Sequence, residues 1–151
     1  MRLALYQPDI PQNAGSLMRL CACLGVPLDV IEPCGFLLTD RNFRRAGMDY
    51  RGEMVRHAGW EAFRSGLRGR LVLLTTRAAL PYPGFLFQPS DTLMVGRESA
   101  GVPEAVHAAA DARLLIPMQA GMRSLNVAQA ASMVLGEALR QTALFPEPAA
   151  P

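Results

Sequence analysis

Apolar positions along this chain fall into short continuous runs separated by stretches in which they recur every third or fourth residue. Arg2 to Tyr6 predicts a first strand, closed by Gln7-Pro8-Asp9-Ile10-Pro11, where two prolines forbid regular pairing. The chain then turns through Asn13-Ala14-Gly15 into a helix buried along Leu17, Leu20, Cys21 and Leu24, with Gly25 as its stop. Leu28 to Ile31 reads as a second, buried strand with a Pro33-Cys34-Gly35 turn after it. Asp40 to Ala46 predicts a short basic helix and Trp60 to Leu67 another helix. Arg70 to Thr75 is an almost wholly apolar strand, and Thr92 to Val95 is the next. Gly96-Arg97-Glu98-Ser99-Ala100-Gly101 follows, then a helix over Pro103 to Ala109 and a last strand over Arg113 to Ile116.

The longest patterned stretch is Leu114 to Gln141. It passes through a glycine-containing loop and Arg123-Ser124-Leu125-Asn126 before Val127, Ala130, Ala131, Val134, Leu135, Ala138 and Leu139 repeat on one helical face. Asn126 is the candidate N-cap, able to accept from the first free amides. Alanines early on that face let another backbone approach closely. The end of the chain, Phe145 to Pro151, is expected to fray, so the reading is one domain over 1–143 and a flexible tail over 144–151.

Short strands, apolar on both faces and alternating with helices, predict an α/β fold: a mostly parallel sheet with helices on both faces. Ligands in such sheets bind beyond the carboxyl ends of the strands. Three loops lie there: Gln7 to Asn13, Gly96 to Gly101, and Pro117 to Asn126. No G-x-G-x-x-G or P-loop is present, which sets aside the common dinucleotide and nucleoside triphosphate sites. Taken singly, Glu98 could cap the next helix, Ser124 could assist Asn126, and Arg19 could be a solvated helix residue.

Charge changes the picture in one respect. The net charge is only +2, yet Arg41 to Arg77 holds nine arginines against Asp49, Glu53 and Glu61, a local balance of +6. All 15 basic residues are arginine, whose guanidinium fork suits phosphate. Cys21, Cys23 and Cys34 lack C-x-x-C spacing and only His57 and His107 could join them, so they read as reduced packing residues with no metal site. No apolar run approaches the roughly 18 residues that span a bilayer, and no secretory leader is evident, which points to a cytoplasmic protein with no membrane partner.

Six segments in order, YQPDIPQNAGSLMRLCA from Tyr6, IEPCGF from Ile31, RRAGMDY from Arg44, Thr75-Thr76, GRESAGVP from Gly96 and IPMQAGMRSLNVAQAASMVLGE from Ile116, resemble the SPOUT superfamily of RNA methyltransferases. The resemblance is greatest to the small bacterial tRNA 2′-O-methyltransferases that act on the wobble nucleotide, cytidine or modified uridine. It implies catalytic roles for Asn13, Arg19, Glu98, Ser124 and Asn126. It implies that S-adenosylmethionine is held by Leu74, Gly96, Ile116, Met118, Ser124 and Leu125. It further implies a C-terminal deep trefoil knot, a homodimer formed through the knot and C-terminal helix, and tRNA as partner. The basic stretch then predicts that Arg41, Arg44, Arg45 and Arg51 contact tRNA phosphates. Arg97 departs from the pattern, standing where such proteins usually carry proline. The alternatives are the same chemistry on another tRNA position or on ribosomal RNA, a catalytically inactive RNA-binding module, and a general nucleotide-binding α/β enzyme.

Overall fold

The computed structural model describes residues 1–38 and 52–147. Its strands are β1 (Arg2–Tyr6), β2 (Leu28–Ile31), β3 (Met54–His57), β4 (Leu71–Leu74), β5 (Leu80–Pro81), β6 (Thr92–Val95) and β7 (Ala112–Leu115). The helices are α1 (Pro11–Leu24), α2 (Trp60–Gly66), α3 (Glu104–Ala109) and α4 (Val127–Thr142), with a 3-10 turn at Tyr82–Gly84. The strands form one sheet in the order β3-β2-β1-β6-β4-β7-β5, and every strand pairing is parallel.

Side chains alternate across this sheet. Leu3, Leu5, Leu28, Val30, Val72, Leu93, Val95 and Leu114 point to a core closed by α1 through Leu17 and Cys21, and by α4 through Ala131, Val134, Leu135 and Leu139. Ala4, Tyr6, Ile31, Leu71, Leu73 and Met94 point the other way, under Phe63 of α2 and Val106 of α3. Strands buried on both faces need no polar alternation, which is why they read as continuous apolar runs. β6 lies between β1 and β4, and β7 between β4 and β5, so late strands enter beside early ones.

The structure corrects several expectations. Asn13-Ala14-Gly15 is not a turn before α1 but part of it, because Pro11 occupies the first helical turn, where its fixed φ suits a helix and its missing N–H costs nothing. Gly25 ends α1 in the left-handed region, φ 65°, as expected of a stop. β3 and β5 are additions to the expected strands: β3 is a half-exposed edge strand carrying Arg56 and His57, and β5 is two residues long. Cys21 is a buried packing residue whose thiol burial pushes up to about 12, but Cys23 is exposed and packs no core. The Ala131 face of α4 is fully buried within the chain, where the helix packs against α1 and the sheet. The expected basic helix over Asp40 to Ala46 lies outside the described residues, as do Arg41, Arg44, Arg45 and Arg51.

No described helix is long and apolar enough to cross a membrane. Among the described residues, no group of three or more His, Cys, Asp or Glu side chains could hold a metal ion.

Candidate active site

Strand register levels the carboxyl ends of the central strands. Leu5 pairs with Val95, Val95 with Leu74, and Leu74 with Leu114, so the loops leaving β4, β6 and β7 open side by side. They enclose a cavity of about 720 Å³, into which the start of α1 contributes Ile10 and Asn13. Of the residues anticipated from sequence, Asn13, Leu74, Gly96, Glu98, Ile116, Met118, Ser124, Leu125 and Asn126 all line it. Arg19 does not: it is exposed on α1, further along the helix and turned away from Asn13.

The polar wall of the cavity is a row of amides and carboxylates. Asn126 Nδ2 donates to Asn13 Oδ1 at 2.9 Å, and Asn13 Nδ2 donates to Glu98 Oε1 at 3.1 Å. Asn126 Oδ1 meanwhile accepts from the backbone of Ala128 at 2.9 Å and of Gln129 at 3.3 Å, so it caps α4 as expected. One asparagine thus fixes a helix start and the end of this row together.

Glu98 is held from below by Asp9, a residue that sequence reasoning missed. Asp9 N–H donates to Glu98 Oε2 at 3.0 Å, and Glu98 N–H donates to Asp9 Oδ1 at 3.1 Å. Ser99 Oγ donates to Asp9 Oδ2, which also faces Arg97 Nε at 3.7 Å. Burial, and after it the adjoining Asp9 side chain, pushes the Glu98 carboxyl up. Hydrogen bonding with Glu98 first, and with Ser99 and nearby amides, draws Asp9 down to about 2. The signal for Asp9 was its place in the loop immediately beyond β1, but nothing in its own neighbourhood marks its partner.

The loop after β6 is tightly closed. Arg97 N–H donates to Gly101 O at 2.9 Å and Gly101 N–H to Arg97 O at 2.8 Å. A Cβ on Gly96 would lie 2.6 Å from the carbonyl carbon of Gly101, so this position admits only glycine without a backbone shift. Gln7, at the end of β1, takes the left-handed region at φ 45°, held by its N–H to Ile31 O at 2.9 Å and its side-chain amide to Glu32 O at 3.4 Å. A non-glycine residue held there is a common mark of a functional loop.

The cavity wall also carries apolar side chains. Leu74 and Ile116 line it, while Met118 is 37% and Leu125 41% exposed. Large apolar side chains open to a cavity are what an aromatic or alkyl ligand group covers. An adenosine bearing a charged amino-acid arm, as in S-adenosylmethionine, matches this pairing of an apolar slot with a polar wall.

Comparison with known proteins agrees with this geometry. The model of the SpoU rRNA Methylase family matches residues 1–136. The chain belongs to this family. Among relatives of this SpoU-family chain, a tRNA (cytidine(34)-2′-O)-methyltransferase of Beijerinckia indica is 63% identical over 144 residues, covering 92% of this chain and 90% of its own. The Escherichia coli K12 protein of the same name is 39% identical, covering 93% of both. A solved structure described as giving insight into 2-OH methylation of C/U34 on tRNA superposes with a TM-score of 0.88 at 42% identity, covering 93% of this chain and 94% of its own. The SpoU methyltransferase AviRb of Streptomyces viridochromogenes, in complex with AdoMet, superposes at 0.81 with 29% identity, over 93% of this SpoU-family chain and 60% of its own.

Proposed function

We propose that this chain transfers the methyl group of S-adenosylmethionine to the ribose 2′-hydroxyl of nucleotide 34 of tRNA, cytidine or a modified uridine at the wobble position. The observation that carries this reading is the hydrogen-bonded row Glu98–Asn13–Asn126 along the wall of a cavity lined by Leu74, Gly96 and Ile116. The names of the relatives supply the nucleotide. The bound donor supplies an electrophilic methyl group for an in-line displacement. The protein's part is to orient the hydroxyl and help it lose a proton. In this reading Leu74, Ile116, Met118 and Leu125 enclose the adenosine, Gly96 lets it approach the backbone, and Ser124 and Asn126 orient donor and ribose. Glu98, the one carboxylate among the described cavity-lining residues, holds the Asn13 amide. Arg19, outside the cavity, holds an RNA phosphate.

Assembly and topology extend the same reading. The insertion of β6 and β7 beside earlier strands, with α4 returning onto α1, supports a C-terminal trefoil knot. A homodimer working in the cytoplasm would double the basic stretch, with Arg41, Arg44, Arg45 and Arg51 set against tRNA phosphates.

Incubating the protein with labelled S-adenosylmethionine and total bacterial RNA, then digesting and resolving nucleosides by mass spectrometry, tests the reading. Label is expected in a 2′-O-methylated nucleoside mapping to position 34 of tRNA. Label confined to ribosomal RNA would move the target, and absence of donor binding would refute the proposal. Gly96→Ala gives a second check. Its Cβ must displace the Gly101 backbone, at a cost of about 1–3 kcal/mol. Donor affinity measured by equilibrium dialysis is expected to fall about ten-fold or more.

A further inference from the structure

We propose that Asp9 is a positioning residue for methyl transfer: its carboxylate binds the Glu98 amide, the Ser99 hydroxyl and Arg97, and so fixes Glu98 against Asn13. The proposal rests on the methyltransferase reading above and adds a residue to it.

Asp9 lines no part of the cavity, so whatever it does passes through its neighbours. Its exchange with Glu98 is reciprocal: each backbone amide donates to the other's carboxylate, at 3.0 and 3.1 Å, across 89 positions of sequence. Those two bonds join the loop after β1 to the loop after β6. They leave Glu98 Oε1 for the Asn13 amide, which sits between Glu98 and Asn126.

A third segment is fitted to the same point. Gly35 N–H donates to Pro8 O at 2.9 Å, and a Cβ on Gly35 would lie 2.7 Å from Asp9 Cβ. Two adjacent carboxylates repel, and a loop needing only a staple could use asparagine at position 9 without that cost. The pair is instead sustained by the Asp9, Glu98 and Ser99 donors, the Asn13 amide and the Arg97 guanidinium, whose Nη1 also reaches Gln7 Oε1 at 3.5 Å. Charge at Asp9 therefore has a use beyond holding the loop: it anchors Arg97 and governs when Glu98 is ionised.

The other charged groups at Glu98 and along the cavity wall are Asp9, bonded to it, Arg97 in its own loop and Arg123. Cys34, beside Gly35, is a neutral thiol that burial pushes up to about 11. Ionised Glu98 accepts from Asn13, so turnover should fall as pH drops through the raised Glu98 titration. Removing the Asp9 charge removes one cause of that elevation, and the acid limb of kcat should move to lower pH.

Asp9→Asn is the test, since it keeps an oxygen for the Glu98 amide and discards the charge. At the pH optimum kcat is expected to fall about 10- to 100-fold. The dissociation constant of S-adenosylmethionine should be unchanged, with the acid limb displaced downward. Ser99→Ala, at an exposed side chain, should lower kcat several-fold in the same sense. Titration of the Glu98 carboxyl by carbon NMR needs no RNA and should show the same downward displacement in Asp9→Asn. Wild-type kcat and an unmoved acid limb in Asp9→Asn would overturn the proposal. So would a Glu98 titration identical in both proteins. A wild-type chain that methylates no RNA would instead refute the functional reading, while the NMR titration would still decide whether Asp9 controls Glu98.

Discussion

Arg19→Ala is expected to lose about 100-fold or more in turnover while binding S-adenosylmethionine with wild-type affinity. The split follows from position. α1 begins at Pro11, and six residues at 100° each place Arg19 about 120° around the helix from Asn13. Asn13 is buried and faces the cavity, whereas Arg19 is exposed and contributes nothing to the cavity wall. In the proposed reading a guanidinium there serves RNA outside the cavity rather than a donor inside it. In that reading its fork would pair with two phosphate oxygens and so fix direction as well as distance. Lysine would restore charge without that geometry, and Arg19→Lys should recover only part of the rate. Single-turnover methylation alongside equilibrium donor binding separates the terms. Near-normal turnover in Arg19→Ala would remove Arg19 from the reaction, and a parallel loss of donor affinity would place it in the cofactor site after all.

The elements legible in the sequence are those whose burial is nearly complete. β1, β2, β4 and β6 sit inside the sheet with nearly all of their residues buried, and those residues are apolar apart from Arg2, Asp29 and Thr92, so their runs needed no partner to be seen. β3 lies at an edge with Val55 and Arg56 exposed, and its pattern is that of a loop until β2 is placed beside it. The start of α1 differs from expectation for another reason. Asn13 and Gly15 carry turn propensity, but a proline at the first helical position and burial of both residues against the core outweigh it.

The site was legible only as separate loops. Resemblance in the order of motifs singled out Asn13, Glu98 and Asn126, yet the bonds joining them span 85 and 113 positions, and no local pattern encodes them. They arise because parallel register levels the ends of β1, β6, β4 and β7 and brings four loops to one plane. Asp9 shows the limit most clearly. In sequence it is one acid in a proline-bounded loop, and only its reciprocal bonds with Glu98 give it meaning.

Asn126 has two tasks, and a pair of substitutions should separate them. Asn126→Asp keeps the oxygen that accepts from Ala128 and Gln129, and aspartate is as good an N-cap as asparagine, so α4 should remain as stable as in wild type. What it loses is the Nδ2 donor to Asn13 Oδ1. Asn13 then faces acceptors at both ends, the new carboxylate on one side and Glu98 on the other, and no orientation of its amide satisfies the pair. The added anion also favours protonation of Glu98, so the acid limb of the rate profile should move to higher pH, opposite to Asp9→Asn. Turnover is expected to fall about 100-fold in Asn126→Asp while α4 keeps its cap, readable as unchanged helical content by circular dichroism. Asn126→Ala should lose turnover as well, and in addition about 1 kcal/mol of stability with the cap, readable by urea denaturation. If Asn126→Asp turned over at the wild-type rate, Asn126 would serve only the helix, and the row from Glu98 through Asn13 would end without a catalytic member on α4.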